Sequence, residues 1–110
     1  MTTITWAEFE KVEMRVGRIT AADDFPEARK PAYKLTIDFG PHGTRRSSAQ
    51  VTNYRKEELL GRLIVAVMNF PPKQIGPFKS EVLVLGAINA NDEVILLRPD
   101  ERAEVGARIA

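Results

Sequence analysis

Hydrophobic and polar residues alternate along much of this chain. The clearest run sets Tyr33, Leu35, Ile37 and Phe39 on one side against Lys34, Thr36 and Asp38 on the other. A two-residue period sends alternate side chains to opposite faces of a pleated strand, so a half-buried strand is predicted here. Val12, Met14 and Val16 against Glu13 and Arg15 repeat the pattern, predicting a strand from Val12 to Ala22 with a bulge or bend at Gly17. Gly40-Pro41-His42-Gly43 carries turn chemistry, and residues 44–52 return as the hairpin partner. Leu63 to Met68 is a continuous apolar run, the pattern of a strand buried on both faces. Glu81 to Ile88 and Glu93 to Arg98 add two strands around an Asn-Ala-Asn-Asp turn.

Helical signals are short. Thr5-Trp6-Ala7-Glu8 is a capping box, and Ile4 with Phe9 has the spacing of a hydrophobic staple. A second helix is predicted over Tyr54 to Leu60, capped by Thr52 or Asn53 and ended by Gly61. Residues 70–79 contain Pro71, Pro72, Pro77 and Gly76 and are expected to form an irregular loop, the longest in the chain. Helix, three strands, short helix and closing strands is the order of an all-β, five-stranded OB-fold barrel, with one short N-terminal helix and another between strands three and four. The 110 residues are expected to form one such domain, 1–110.

Composition narrows the function. The chain lacks cysteine and has one histidine, His42, in the predicted turn. That inventory provides no thiolate, no ordinary zinc site and no serine–histidine–aspartate triad. Neither a glycine-rich phosphate loop nor a dinucleotide fingerprint is present. A binding protein without catalysis, cofactor or metal is therefore expected. The first basic residue is Lys11, so the start lacks the basic region and apolar core of a signal peptide. The longest apolar run falls well short of the ~20 residues that span a bilayer. A cytoplasmic protein without membrane insertion is expected.

Charge is unevenly spread. Residues 1–28 and 80–110 each carry three Lys/Arg against six Asp/Glu, whereas residues 29–79 carry ten against three. The basic middle either collects on one groove that attracts phosphates and acidic peptides or is dispersed by folding over a mixed surface. Arg29, Lys30 and Lys34 surround Tyr33 at the entry to the second strand, the third strand adds Arg45 and Arg46, and the proline-rich segment adds Lys73 and Lys79. Tyr33 is in phase with Leu35 and Ile37 and fits either core or groove. Phe70 and Phe78 either pin the loop to the barrel or line an apolar groove.

Four segments carry a resemblance. Phe25 to Gly40, Ser47-Ser48-Ala49-Gln50, Asn69-Phe70-Pro71-Pro72 and Ser80 to Gly86 closely resemble the CsaA family, a likeness running from Phe9 to Pro99. It implies a homodimeric OB-fold protein with chaperone-like activity toward unfolded or precursor polypeptides destined for export. CsaA belongs to a wider group of tRNA-binding domains, so tRNA or another structured RNA is the alternative partner. In that group a small-Ser-Gly segment and a Ser-Glu-Gly-Met segment mark the RNA surface. The matching positions here are Ser47-Ser48-Ala49 and Ser80-Glu81-Val82-Leu83. Ser80 and Glu81 carry over, while Val82 replaces a glycine with a bulkier, stiffer residue that works against close backbone approach. A local alternative for Ser80 and Glu81 is a hydrogen bond at the strand start that holds the long loop. The expected ligand surface therefore comprises Arg29, Lys30, Lys34, Ser47, Ser48, Gln50, Asn69, Phe70, Lys73, Phe78, Lys79, Ser80 and Glu81.

Overall fold

The computed structural model describes residues 1–110. Five antiparallel strands form the main sheet: β1 (Met14–Asp24), β2 (Tyr33–Asp38), β3 (Thr44–Ala49), β4 (Leu63–Val67) and β7 (Leu83–Val84), in the order β3-β2-β1-β4-β7. The sheet curls into a nearly closed barrel, the OB-type arrangement that the alternation implies. Its core contains Ile19, Leu35, Ile37, Phe39, Val51, Leu59 and Ile64, each almost inaccessible to solvent. Tyr33 packs against this core and its hydroxyl donates to the Tyr54 carbonyl at 2.9 Å, so it is a core residue rather than a groove residue.

Both helices form. In α1 (Trp6–Glu10) the capping box is complete: the Glu8 N–H donates to Thr5 Oγ1 at 3.2 Å, and the Thr5 N–H donates to the Glu8 carboxylate at 3.0 Å. The second helix, α2 (Lys56–Leu59), is shorter than expected and starts two residues later. Arg55 takes the cap position and its N–H donates to Glu58 at 2.9 Å, whereas the Asn53 amide donates across to the Val94 carbonyl at 3.1 Å. Asn53 is thus committed to a tertiary bond and does not cap the helix.

Gly17 serves close packing rather than a bulge. A Cβ there would stand 2.6 Å from both Ile37 Cγ2 and Phe39 Cε1. The irregularity in β1 lies further on, where the register with β2 shifts between Ile19 and Ala21. Before that point, the C-terminal segment covers β1: the Val16 N–H donates to Ala107 O at 3.0 Å, and the Gly106 N–H donates to Val16 O at 2.8 Å. Residues 14–18 also pair with β4, which is buried along its whole length as its apolar run requires.

The proline-rich stretch is not an irregular loop. β5 (Lys73–Ile75) and β6 (Phe78–Ser80) form a hairpin around Gly76-Pro77. Gly76 has φ of 57°, the positive value that the first position of a type II′ hairpin turn requires, and the fixed φ of proline suits the second. Pro71 and Pro72 precede the hairpin and leave its ladder intact. The final strands form a second hairpin, β8 (Gly86–Ile88) with β9 (Val94–Leu96).

Candidate functional site

The segment 80–82 closes the barrel against β3, and polar side chains make most of that seam. The Glu81 N–H donates to Arg46 O at 2.8 Å, and the Arg46 N–H donates to Glu81 Oε1 at 3.0 Å. One turn of the pleat away, the Ser48 N–H donates to Ser80 Oγ at 3.0 Å. Ser47 Oγ, only 1% exposed, donates to the Val82 carbonyl at 2.9 Å. A backbone ladder is thereby imitated by a carboxylate and two hydroxyls. Ser80 and Glu81 do hold a strand start, as the local alternative had it, but their partners lie on β3 rather than within the loop.

The same two residues form a wall of an open groove of about 390 Å³. Phe70, Pro71, Val82 and Leu83 line it with apolar surface, and Lys73 stands at its rim. Phe70 is 55% exposed and Leu83 49% exposed, so both present side chains to whatever enters. A second groove, about 420 Å³, is bounded by the 28–32 loop, the end of β3 and strand β5. It gathers Arg29, Lys30, Ser48, Gln50 and Lys73, five of the residues expected from the sequence. Lys73 borders both grooves, so they adjoin.

A small second core fixes these walls. Phe25 and Ala32 from the β1–β2 connection pack against Phe78 of β6, with Ala28 and Ile75 alongside. Phe78 is 4% exposed and therefore belongs to the pinning alternative, while Phe70 belongs to the groove alternative. Lys34 Nζ lies 5.5 Å from the centre of the Phe25 ring and the Arg46 guanidinium 4.6 Å from that of Phe78. Asn69 is exposed, but its amide is engaged within the chain: its Oδ1 accepts from the Glu13 N–H at 3.0 Å and its Nδ2 donates to the Lys11 carbonyl at 2.6 Å. Lys79 is exposed on β6 and lines neither groove. The expected set thus divides into groove residues, seam residues, the buried Ser47 and Phe78, the internally hydrogen-bonded but exposed Asn69, and Lys34 and Lys79 outside both grooves.

Charge supports the grouping. Of the ten cations between residues 29 and 79, only Arg55 and Lys56 are ion-paired, the former with Glu58 and the latter with Asp24 at 2.9 Å. The hydrogen bond that the Lys56 ammonium donates to Asp24 raises its pKa above the usual value. Arg29, Lys30 and Lys73 have no acidic partner and face one groove, where an anion would meet them together. Arg46 joins the basic set by its charge, but an arginine next to Arg45 in a strand shows no sign in the sequence of its aromatic seat on Phe78.

Two adjoining grooves beside the β1–β2 loop and the proline-rich hairpin mark the surface of a small, nearly closed OB-type barrel. The profile of the putative tRNA binding domain family matches residues 14–108. Two solved structures align over nearly all of the chain and over 100% of their own: the CsaA chaperone proteins of Picrophilus torridus (56% identity, 98% of this chain) and Bacillus anthracis (45%, 99% of this chain), each with a TM-score of 0.93. Among longer relatives, methionine–tRNA ligase 1 of Sorangium cellulosum is 40% identical over 103 residues, 93% of this chain and 14% of the ligase. The chain thus spans about one seventh of the length of the curated relatives it matches. The chain belongs to the tRNA-binding-domain family and, within it, to the CsaA group.

Proposed function

We infer that the protein is a non-catalytic chaperone that holds unfolded or precursor polypeptides in extended form, as a cytoplasmic homodimer serving export. The observation that carries this reading is the apolar groove. An aromatic ring exposed on a proline-stiffened segment beside Leu83, with Lys73 and Glu81 at its edges, suits a chain of mixed apolar and polar residues. Stiffness matters here, because a wall held in few conformations loses little entropy when a ligand settles on it. Full-length likeness to CsaA chaperone proteins supports the same reading.

A homodimer is favoured by the β8–β9 hairpin. Ile95 and Leu97 on its outer side are 36% and 47% exposed, and Ala87 stands opposite Ile95. A hairpin on a barrel surface ordinarily turns polar residues outward, so this uncharged face suits burial against an identical copy. Two grooves in such a dimer would gain avidity for one long client without a tight single contact.

Binding of tRNA or another structured RNA is the second reading, favoured by the unpaired Arg29, Lys30 and Lys73 and by the family match. A salt titration separates the two. Several phosphate contacts make RNA affinity fall steeply with salt, whereas an apolar groove is largely insensitive to it. Binding of a reduced, unfolded protein that persists at high salt while a bulk tRNA pool dissociates supports the polypeptide reading. Retention of neither ligand, or of tRNA alone at low salt, overturns it.

A further inference from the structure

The strongest feature that the grooves leave unused is Arg46. Its guanidinium rests 4.6 Å above the centre of the Phe78 ring, and that ring is 4% exposed, so the platform is anchored. Its main chain is fastened on both sides by Glu81, through the N–H at 3.0 Å and the carbonyl at 2.8 Å. Arg46 is nevertheless an exposed residue, and its side chain makes neither a hydrogen bond nor an ion pair.

Six other arginines spend donors internally. Arg15, Arg55 and Arg102 bind nearby carboxylates, while Arg18 and Arg45 reach the carbonyls of Gly61 and His42. Arg62 also sits over an aromatic ring, 4.9 Å from that of Tyr54, but its Nε donates to the Glu58 carbonyl. Arg46 alone combines an aromatic seat with an unengaged fork.

Its position is equally specific. Arg46 and Ser48 alternate with the buried Ser47, so both stand on the outer face of β3. Ser48 lines the basic groove, and Glu81, bonded to Arg46, lines the apolar one. A planar guanidinium held in one orientation binds a carboxylate through two parallel N–H donors, a geometry that an ammonium lacks.

We propose that Arg46 is a specificity residue that takes the carboxylate of an acidic side chain in a polypeptide whose apolar part lies against Phe70. This rests on the polypeptide reading and adds a sequence rule to it: an acidic residue a few positions from an apolar pair is preferred. The groove lined by Phe70, Pro71 and Leu83 supplies the apolar contact, and the seated fork supplies the register.

The test is a double-mutant cycle read by fluorescence anisotropy. The probes are labelled 12-residue peptides with a Phe-Leu pair and one glutamate placed in turn at each of the four following positions, each with its glutamine counterpart. Arg46→Gln is expected to weaken the best glutamate peptide about tenfold while leaving its glutamine partner within about twofold. Arg46→Lys should recover only part of that loss. Loss of both peptides alike, or of neither, at all four positions would overturn the proposal. Thermal unfolding of each variant separates a ligand effect from lost packing on Phe78. A parent that binds the peptides without any coupling removes the role of Arg46 alone, whereas a parent that binds none removes the polypeptide reading and this inference with it.

Discussion

The rings of Phe25 and Phe78 meet with centroids 5.3 Å apart and planes tilted by 59°. That contact joins the β1–β2 connection to the proline-rich hairpin, the two elements between which the basic groove lies. Aromatic pairs in this offset geometry are worth ~0.5–1.5 kcal/mol beyond their buried area. Each ring of the pair also carries a cation, Lys34 over Phe25 and Arg46 over Phe78.

Phe78→Ser is therefore a stability variant. Removal of a buried phenylalanine costs ~3–5 kcal/mol. At ~4–8 °C per kcal/mol for a domain of this size, the melting temperature should fall by well over ten degrees. Calorimetry checks this, and a shift of only a few degrees would mean that the second core holds nothing.

The seam makes a separate prediction. Ser47→Ala removes the donor to the Val82 carbonyl and should cost ~1–3 kcal/mol, the usual penalty for a buried polar group left unpaired. Glu81→Ala should destabilise less, because the Arg46 N–H that it abandons lies at an exposed position and can turn to water. Urea unfolding of both variants measures the order, and equal costs would contradict the burial difference.

Acid should loosen α2. The Arg55 N–H, followed by the Arg55 side chain, holds the Glu58 carboxyl below its ordinary pKa. A depressed carboxyl stabilises the fold above its unfolded value, near 4.5, and the contribution disappears as pH falls through the lower folded value. Parent and Glu58→Gln proteins should differ in thermal stability at pH 6 and converge once the pH has fallen below the folded value of the carboxyl. A difference that is independent of pH would refute this role for the carboxylate.

Replacement of Arg29, Lys30 and Lys73 by serine should lower the slope of log affinity for RNA against log salt by about one unit for each lost phosphate contact. Stability should hardly change, since exposed charges contribute ~0–1 kcal/mol each. Filter binding over a range of salt checks both, and an unaltered slope would show that the basic groove is an ordinary solvated surface.

Most of the barrel was legible in the chain because its signals are local. The alternation from Tyr33 to Phe39, the box at Thr5 and Glu8, and the run from Leu63 to Val67 each depend on neighbours in sequence, and each folds as that pattern requires. The 73–80 hairpin was obscured because its prolines all fall outside the ladder, at the approach and in the turn. Thr52 and Asn53 both have the chemistry of a cap, and nothing local shows that Val94 claims the Asn53 amide. The same limit applies to the site. Phe70 and Phe78 flank the same prolines, and only Phe25, more than fifty residues earlier, decides which of them is buried. Arg29, Lys30 and Lys73 were recognisable by charge, whereas Arg46 becomes distinctive only on its ring.

The polypeptide reading depends most directly on Phe70, and suppression of client aggregation by a Phe70→Ser variant tests it. The side chain is 55% exposed and lies outside both cores, so the variant should keep the parent melting temperature to within a few degrees. The account predicts that this folded protein loses most of its ability to keep a chemically unfolded client soluble, as measured by light scattering. A Phe70→Ser protein that is equally stable and protects the client as well as the parent does would contradict it.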